Sequence, residues 1–133
     1  MDSTTDELAA IPLFSSLSAS DLRELVNWFD VQTISEGVRL TGEGAAGYSF
    51  FVLAKGTATV TSEGATLASL GPGDFFGEIA ILGDGRRSAT VTTTSPTKLF
   101  VMFGTEFRRL QDAQPEIAAR IEQAMRERVV ARS

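Results

Sequence analysis

Residues 75 to 91 read Phe-Phe-Gly-Glu-Ile-Ala-Ile-Leu-Gly-Asp-Gly-Arg-Arg-Ser-Ala-Thr-Val, and several of these residue types can do ligand chemistry. Gly77 has no side chain, so its backbone can come close to a bound group. Glu78 offers two acceptor oxygens, suited to a pair of ligand hydroxyls. Glu78 to Leu82 is long enough for one helical turn, whose free N–H groups would face an anion. Gly83 and Gly85 turn the chain back, and Arg87 brings a planar cation with fork geometry. Ser88 adds a hydroxyl. Such a set reads as a holder for a small, singly charged phosphate diester. The competing reading is an ion pair between Glu78 and Arg87 that braces a loop, and exposed pairs of that kind contribute little.

Composition bounds what else the chain can do. Its 133 residues are enough for one domain with one sizeable core. Hydrophobic residues make up 43% and charged residues 22%, as in ordinary soluble globular proteins. The formal net charge of −5 speaks against nucleic acid as a direct partner. A small anion would need a local positive site, which Arg86, Arg87 and a helix N-terminus supply. There is no cysteine and no histidine. Disulfides, thiol chemistry and histidine-based acid–base work are therefore excluded, and metal sites lose their usual ligands. That disfavours a metal-dependent β-barrel enzyme of the cupin type. The acidic start, Met1 to Glu7, lacks the pattern of a secretion signal, and no apolar run reaches membrane-spanning length. No membrane segment and a cytoplasmic location are expected.

The elements that must position this stretch fall into three groups. Residues 1–29 read as N-terminal helices. One runs from about Thr5 to Phe14 and ends near Pro12; another starts at Ser18 as cap with Asp21 in its first turn. Leu22, Leu25, Val26 and Phe29 give the second an apolar face for the core. From 30 to 103 short β-rich runs alternate with glycine turns: Val31 to Ser35, Val38 to Thr41, Tyr48 to Leu53, Thr57 to Thr61, Thr66 to Leu70, Ser88 to Thr94 and Lys98 to Phe103. That pattern predicts a barrel or jelly roll. Gly71-Pro72-Gly73 reads as a turn, and Phe75 and Phe76 as core anchors. Residues 104–133 read as two C-terminal helices. The first begins at Gly104 with Phe107 and Leu110 facing inward. The second begins with Pro115 in its first position and runs to Val130 or beyond. Ile117, Ile121, Ala124 and Arg128 share one stripe of it, with Met125 beside them.

At residues 75–91 the sequence resembles the phosphate-binding cassette of the cyclic-nucleotide-binding domain family. Its members include regulatory subunits of cyclic-AMP-dependent kinase, the bacterial catabolite activator and cyclic-nucleotide-gated channels. The Phe-Gly-Glu opening and the Arg-Ser-Ala-Thr-Val close stand at the family's usual separation. The likeness extends from Ile11-Pro12-Leu13-Phe14 to about Arg128, and is greatest to the cytoplasmic domain of a bacterial cyclic-nucleotide-regulated potassium channel. The resemblance implies a mainly β fold, a β-roll with N-terminal helices, a short cassette helix and two C-terminal helices.

The resemblance also implies roles. Gly77 is the close-approach glycine and Glu78 takes the ribose 2′-hydroxyl. Backbone N–H groups at Ile79, Ala80 and Ala89 join Arg87 around the cyclic phosphate. Arg86 departs from the pattern, since many relatives carry proline there. Ser88 is typical of cyclic-AMP readers, although its hydroxyl leaves cyclic GMP as a second candidate. Val60 and Ala68 match the apolar wall for the base. Pro115-Glu116-Ile117-Ala118 and Glu127-Arg128 match the channel domain's last helix, which puts Arg128 over the purine; the alternative is a guanidinium reaching water at a helix end. Polar residues that reach the base in the catabolite activator match Arg132 and Ser133.

The expected function is a stand-alone cyclic-nucleotide sensor for cyclic AMP, with no catalytic residues, no metal and no cofactor. Its last helix would act as a lid that passes binding to an unidentified effector protein, or pairs with a copy of itself. The rival is a protein-interaction module that keeps the fold without regulatory nucleotide binding. A transcription regulator is disfavoured by the acidic charge and the absence of a helix-turn-helix after the last helix.

Overall fold

The computed structural model describes residues 3–41, 49–77 and 89–132. Helices α1 (Ser3–Ala9) and α2 (Ala19–Leu25) flank a 3-10 turn at Pro12–Phe14, and a second such turn spans Val26–Trp28. The strands are β1 (Asp30–Ile34), β2 (Arg39–Thr41), β3 (Ser49–Lys55), β4 (Ala58–Ser62), β5 (Ala65–Leu70), β6 (Phe75–Phe76), β7 (Thr90–Thr93) and β8 (Thr97–Phe103). Helices α3 (Gly104–Ala113) and α4 (Pro115–Arg132) follow. Among the described residues the strands form two antiparallel sheets, ordered β1-β8-β3-β6 and β2-β7-β4-β5. These are the expected antiparallel sheets with flanking helices.

Side-chain alternation along the first sheet explains why there are two cores. Phe50 and Val52 of β3, Phe100 and Met102 of β8, and Phe75 of β6 point to the helices. Phe51, Leu53, Leu99, Val101 and Phe76 point to the second sheet. Both faces of β3 and β8 are covered, so these two strands read as near-continuous apolar runs. The second sheet buries one face only, and β4 accordingly alternates Ala58 and Val60 with Thr59 and Thr61. Each buried Phe or Leu contributes about 1.5–3 kcal/mol.

The helix-side core ties the chain ends together. Ile117, Ala118, Ile121 and Met125 of α4 join Leu13 and Phe14 of the 3-10 turn, with Phe107 and Leu110 of α3. Pro115 opens α4, and Phe107 and Leu110 are buried, as the sequence predicts. Phe29 stands tilted between Phe14 and Phe100, with ring centroids 5.9 and 5.8 Å away. The start of α2 is a capping box: the Asp21 N–H donates to Ser18 Oγ at 3.1 Å, and the Ser18 N–H donates to Asp21 Oδ2 at 3.2 Å.

Local differences from the sequence reading have local causes. The helix expected over Thr5 to Phe14 is broken after Ala9 and resumes as the 3-10 turn. Pro12 has no N–H and pushes Ile11 to φ −87°, ψ 121°, so one continuous helix is not available. Strand β6 was not expected; two residues are too few to carry a period.

Candidate functional site

The sequence singles out the stretch from 75 to 91, and the structure describes how each end of it is fixed. Glu78, Ile79, Ala80, Arg87 and Ser88 lie outside the described residues, as does the helix expected from Glu78 to Leu82. Before it, the Gly71–Asp74 turn closes on itself. The Asp74 N–H donates to the Gly71 carbonyl at 3.1 Å, and the Gly71 N–H to Asp74 Oδ2 at 2.8 Å. Two more bonds hold the turn to β3: Gly73 N–H to the Leu53 carbonyl at 2.8 Å, and Leu53 N–H to the Asp74 carbonyl at 2.9 Å. Gly73 has φ +91°, and a Cβ there would lie 3.2 Å from Pro12 Cδ. Glycine is what both demands require.

Phe75 and Phe76 then anchor the chain, one in each core, as the sequence predicts. Phe75 meets Phe50 at 5.8 Å between centroids, and Phe76 stacks on Phe51 at 4.7 Å with only 11° between planes. Gly77 follows at φ +78°, in the left-handed region where a side chain is strained. The residue read as a close-approach glycine thus sits one step beyond a double aromatic anchor.

At the other end Ala89 is half-buried and leads into β7. The register of β7 on β4 pairs Thr90 with Thr61, Val91 with Val60 and Thr93 with Ala58. On the far side of β4, Val60 pairs with Ala68 and Ala58 with Leu70. Residues paired across strands share a face, so Val91, Val60 and Ala68 form one row. The row beneath it, Thr93, Ala58 and Leu70, is buried. The upper row grades from buried Val91 through half-buried Val60 to exposed Ala68. The two residues read as a wall for a base therefore lie side by side, where the inner face of the second sheet opens.

Three features escaped the sequence reading. Pairing between β4 and β5 steps from Thr61–Thr66 to Val60–Ala68, leaving Leu67 as a bulged residue, 62% exposed. Thr93 is buried; its hydroxyl donates to the Ser35 carbonyl at 2.7 Å and accepts from the Val38 N–H at 2.8 Å, which pins β7 to the turn before β2. Lys98 Nζ donates to Glu7 Oε1 at 2.6 Å and fastens α1 to β8. A buried threonine in a threonine run and a pair 91 residues apart leave no mark that spacing can reveal.

Helix α4 passes through position 128, four residues after half-buried Ala124. The Arg128 side chain lies outside the described residues. Among the described residues there is no group of three or more acidic side chains arranged to hold a metal ion. No described helix is long and apolar enough to cross a membrane.

Comparison with known proteins bears on the whole of this layout. A family profile for the cyclic nucleotide-binding domain matches residues 31–114. The chain is 32% identical over 121 residues to a cyclic nucleotide-gated potassium channel of Rhizobium etli, covering 91% of this chain and 34% of the channel. It is 34% identical over 105 residues to a cAMP-dependent protein kinase regulatory subunit of Yarrowia lipolytica, covering 77% of this chain and 28% of that protein. It thus spans about a third of the length of these relatives. The fold superposes on the crystal structure of a cyclic nucleotide-binding domain from Methylobacillus flagellatus with a TM-score of 0.85, at 22% identity, over 97% of this chain and 75% of that one. The sheets, the flanking helices and the profile match converge on one conclusion: the chain belongs to the cyclic nucleotide-binding domain family.

Proposed function

We propose that this chain is a sensor that binds cyclic AMP in the pocket between residues 77–89 and the inner face of β4 and β5. The observation that carries the reading is the register: the cassette re-enters the sheet at Ala89 and Thr90, directly beside the Val60–Ala68 row, where that face is open. Arg87, three residues before β7, would then take the ligand phosphate, and Val60 and Ala68 the base. Glu78 takes the ribose hydroxyl, and N–H groups at Ile79, Ala80 and Ala89 complete the phosphate shell. Ser88 favours cyclic AMP over cyclic GMP. The kinase regulatory subunit among the relatives is named for its dependence on cAMP, which supports the same choice.

The chain's part in this is binding, without bond cleavage. The ring phosphate meets a guanidinium and N–H donors, all suited to holding charge. Binding draws the cassette inward, its Leu82 meets the C-terminal helices, and α4 re-seats as a lid with Arg128 on the purine. An effector protein reads the position of α4. A ligand changes that output only by its unequal affinity for the two arrangements. Charge-assisted hydrogen bonds of about 1.5–3 kcal/mol each, plus purine burial and minus the association cost, give about −8 kcal/mol, a micromolar affinity.

Calorimetric titration of the full chain with cyclic AMP and cyclic GMP tests this. Micromolar binding with cyclic AMP the tighter ligand is expected, and the nucleotide should be recovered intact afterwards. Absence of heat with either nucleotide at millimolar concentration would sink the proposal.

A further inference from the structure

A concave feature lies where the chain passes from the helices into β1 and out of β8. It is a groove of about 310 Å³ lined by Asn27, Trp28, Phe29, Asp30, Val101, Phe103 and Glu106. Phe29 is held on the core side by Phe14 and Phe100, which makes it a fixed floor; Val101 reaches the groove from β8, opposite Asp30 of β1. The walls are Trp28 and Phe103, the latter 54% exposed. The Trp28 indole N–H donates to Glu24 Oε1 at 3.3 Å, which fixes the ring edge. Every ionisable lining residue is acidic. Asp30 is exposed and accepts from the Gln32 amide at 3.0 Å; Glu106 accepts from Arg109 at 2.8 Å. Arg109 is itself 71% exposed, so its pairing with Glu106 is weak and readily exchanged.

Aromatic faces and carboxylates at one place are what a guanidinium or ammonium group binds. We propose that this groove is a docking site for an arginine- or lysine-bearing segment of a partner protein. A second copy of this chain fits less well. At a net charge of −5 the copies repel, and each would bring the same acidic surface. The place is suited to reading the state of the molecule. Phe103 ends β8, Glu106 lies in the first turn of α3, and α3 packs with α4 on the helix-side core. A segment bound here touches the helical layer that carries α4. The site stands without the nucleotide reading, since none of its residues belongs to the cassette.

Trp28 is the single tryptophan of the chain, so its emission comes from one place, at the edge of this groove. The test titrates the nucleotide-free full chain with a short synthetic peptide of alternating arginine and leucine, then with its glutamate-for-arginine counterpart. A saturable change in Trp28 emission with the first peptide and none with the second is expected. Asp30→Lys with Glu106→Lys should weaken it at least tenfold. Glu36→Lys with Asp112→Lys makes the same charge change elsewhere and should not. The milder pair Asp30→Asn with Glu106→Gln should give an intermediate loss and guards against misfolding. Equal weakening by both reversed pairs would reduce the effect to general charge attraction and overturn the proposal. An unmoved emission would overturn it too, as would a dimer by sedimentation whose emission ignores the peptide.

Discussion

Gly56 and Gly64 look alike in sequence, each a glycine between β-rich runs, and both have positive φ, +91° and +79°. Their surroundings differ. A Cβ at Gly56 would stand 2.4 Å from the Pro96 carbonyl oxygen and 2.6 Å from Thr97 Cγ2, whereas at Gly64 it would meet nothing within 4 Å. Gly64→Ala should therefore cost only the left-handed strain, about 1–2 kcal/mol. Gly56→Ala adds a backbone collision and should cost at least about 1 kcal/mol more; urea unfolding of the two variants checks the order. The need for turns was legible in the sequence, but the neighbour that makes one glycine irreplaceable lies 40 residues away. At the same scale, Arg87→Ala should weaken cyclic AMP binding by about 2–4 kcal/mol, roughly 30- to 1,000-fold. An unchanged affinity by calorimetry would mean the phosphate sits elsewhere.

Among elements, what sequence revealed well was what repeats or what caps. Periodicity located β1, β3, β4, β5, β7 and β8 to within a residue or two, and Ser18 with Asp21 marked the start of α2. The stretch from 75 to 91 stood out because its residues are contiguous and chemically distinctive. What stayed hidden joins distant elements, such as the clasp between α1 and β8. Lys98 and Glu7 are 25% and 19% exposed, and Glu7 Oε2 is buried without a hydrogen-bond partner among the described residues. Lys98→Ala would remove the only cation that the described residues place on that carboxylate. It should cost about 1–3 kcal/mol, and more than Glu7→Gln, which removes the charge along with the need for a partner. Thermal midpoints of the two variants decide this, and equal losses would mean that the clasp contributes only packing.

Across the whole molecule, the helix-side core joins the first 3-10 turn to the last helix, so anything that moves α4 must work against Ile117, Ile121 and Met125. Met125 is fully buried and sits three residues before Arg128, so its packing sets where the end of α4 can point. Met125→Ala should cost about 2–5 kcal/mol of stability through the lost methylenes and the cavity. If Arg128 caps the purine, the same change should also weaken cyclic AMP binding several-fold, because a loosened helix holds the guanidinium over the base for less of the time. The two effects separate in a double-mutant cycle. In an Arg128→Ala background, Met125→Ala should keep its full stability cost yet add nothing further to the loss of affinity. A loss that persists there would show that α4 acts on the pocket through the core and not through its arginine. The lid would then be the helix as a body, with Arg128 left as a cation at its water-facing end.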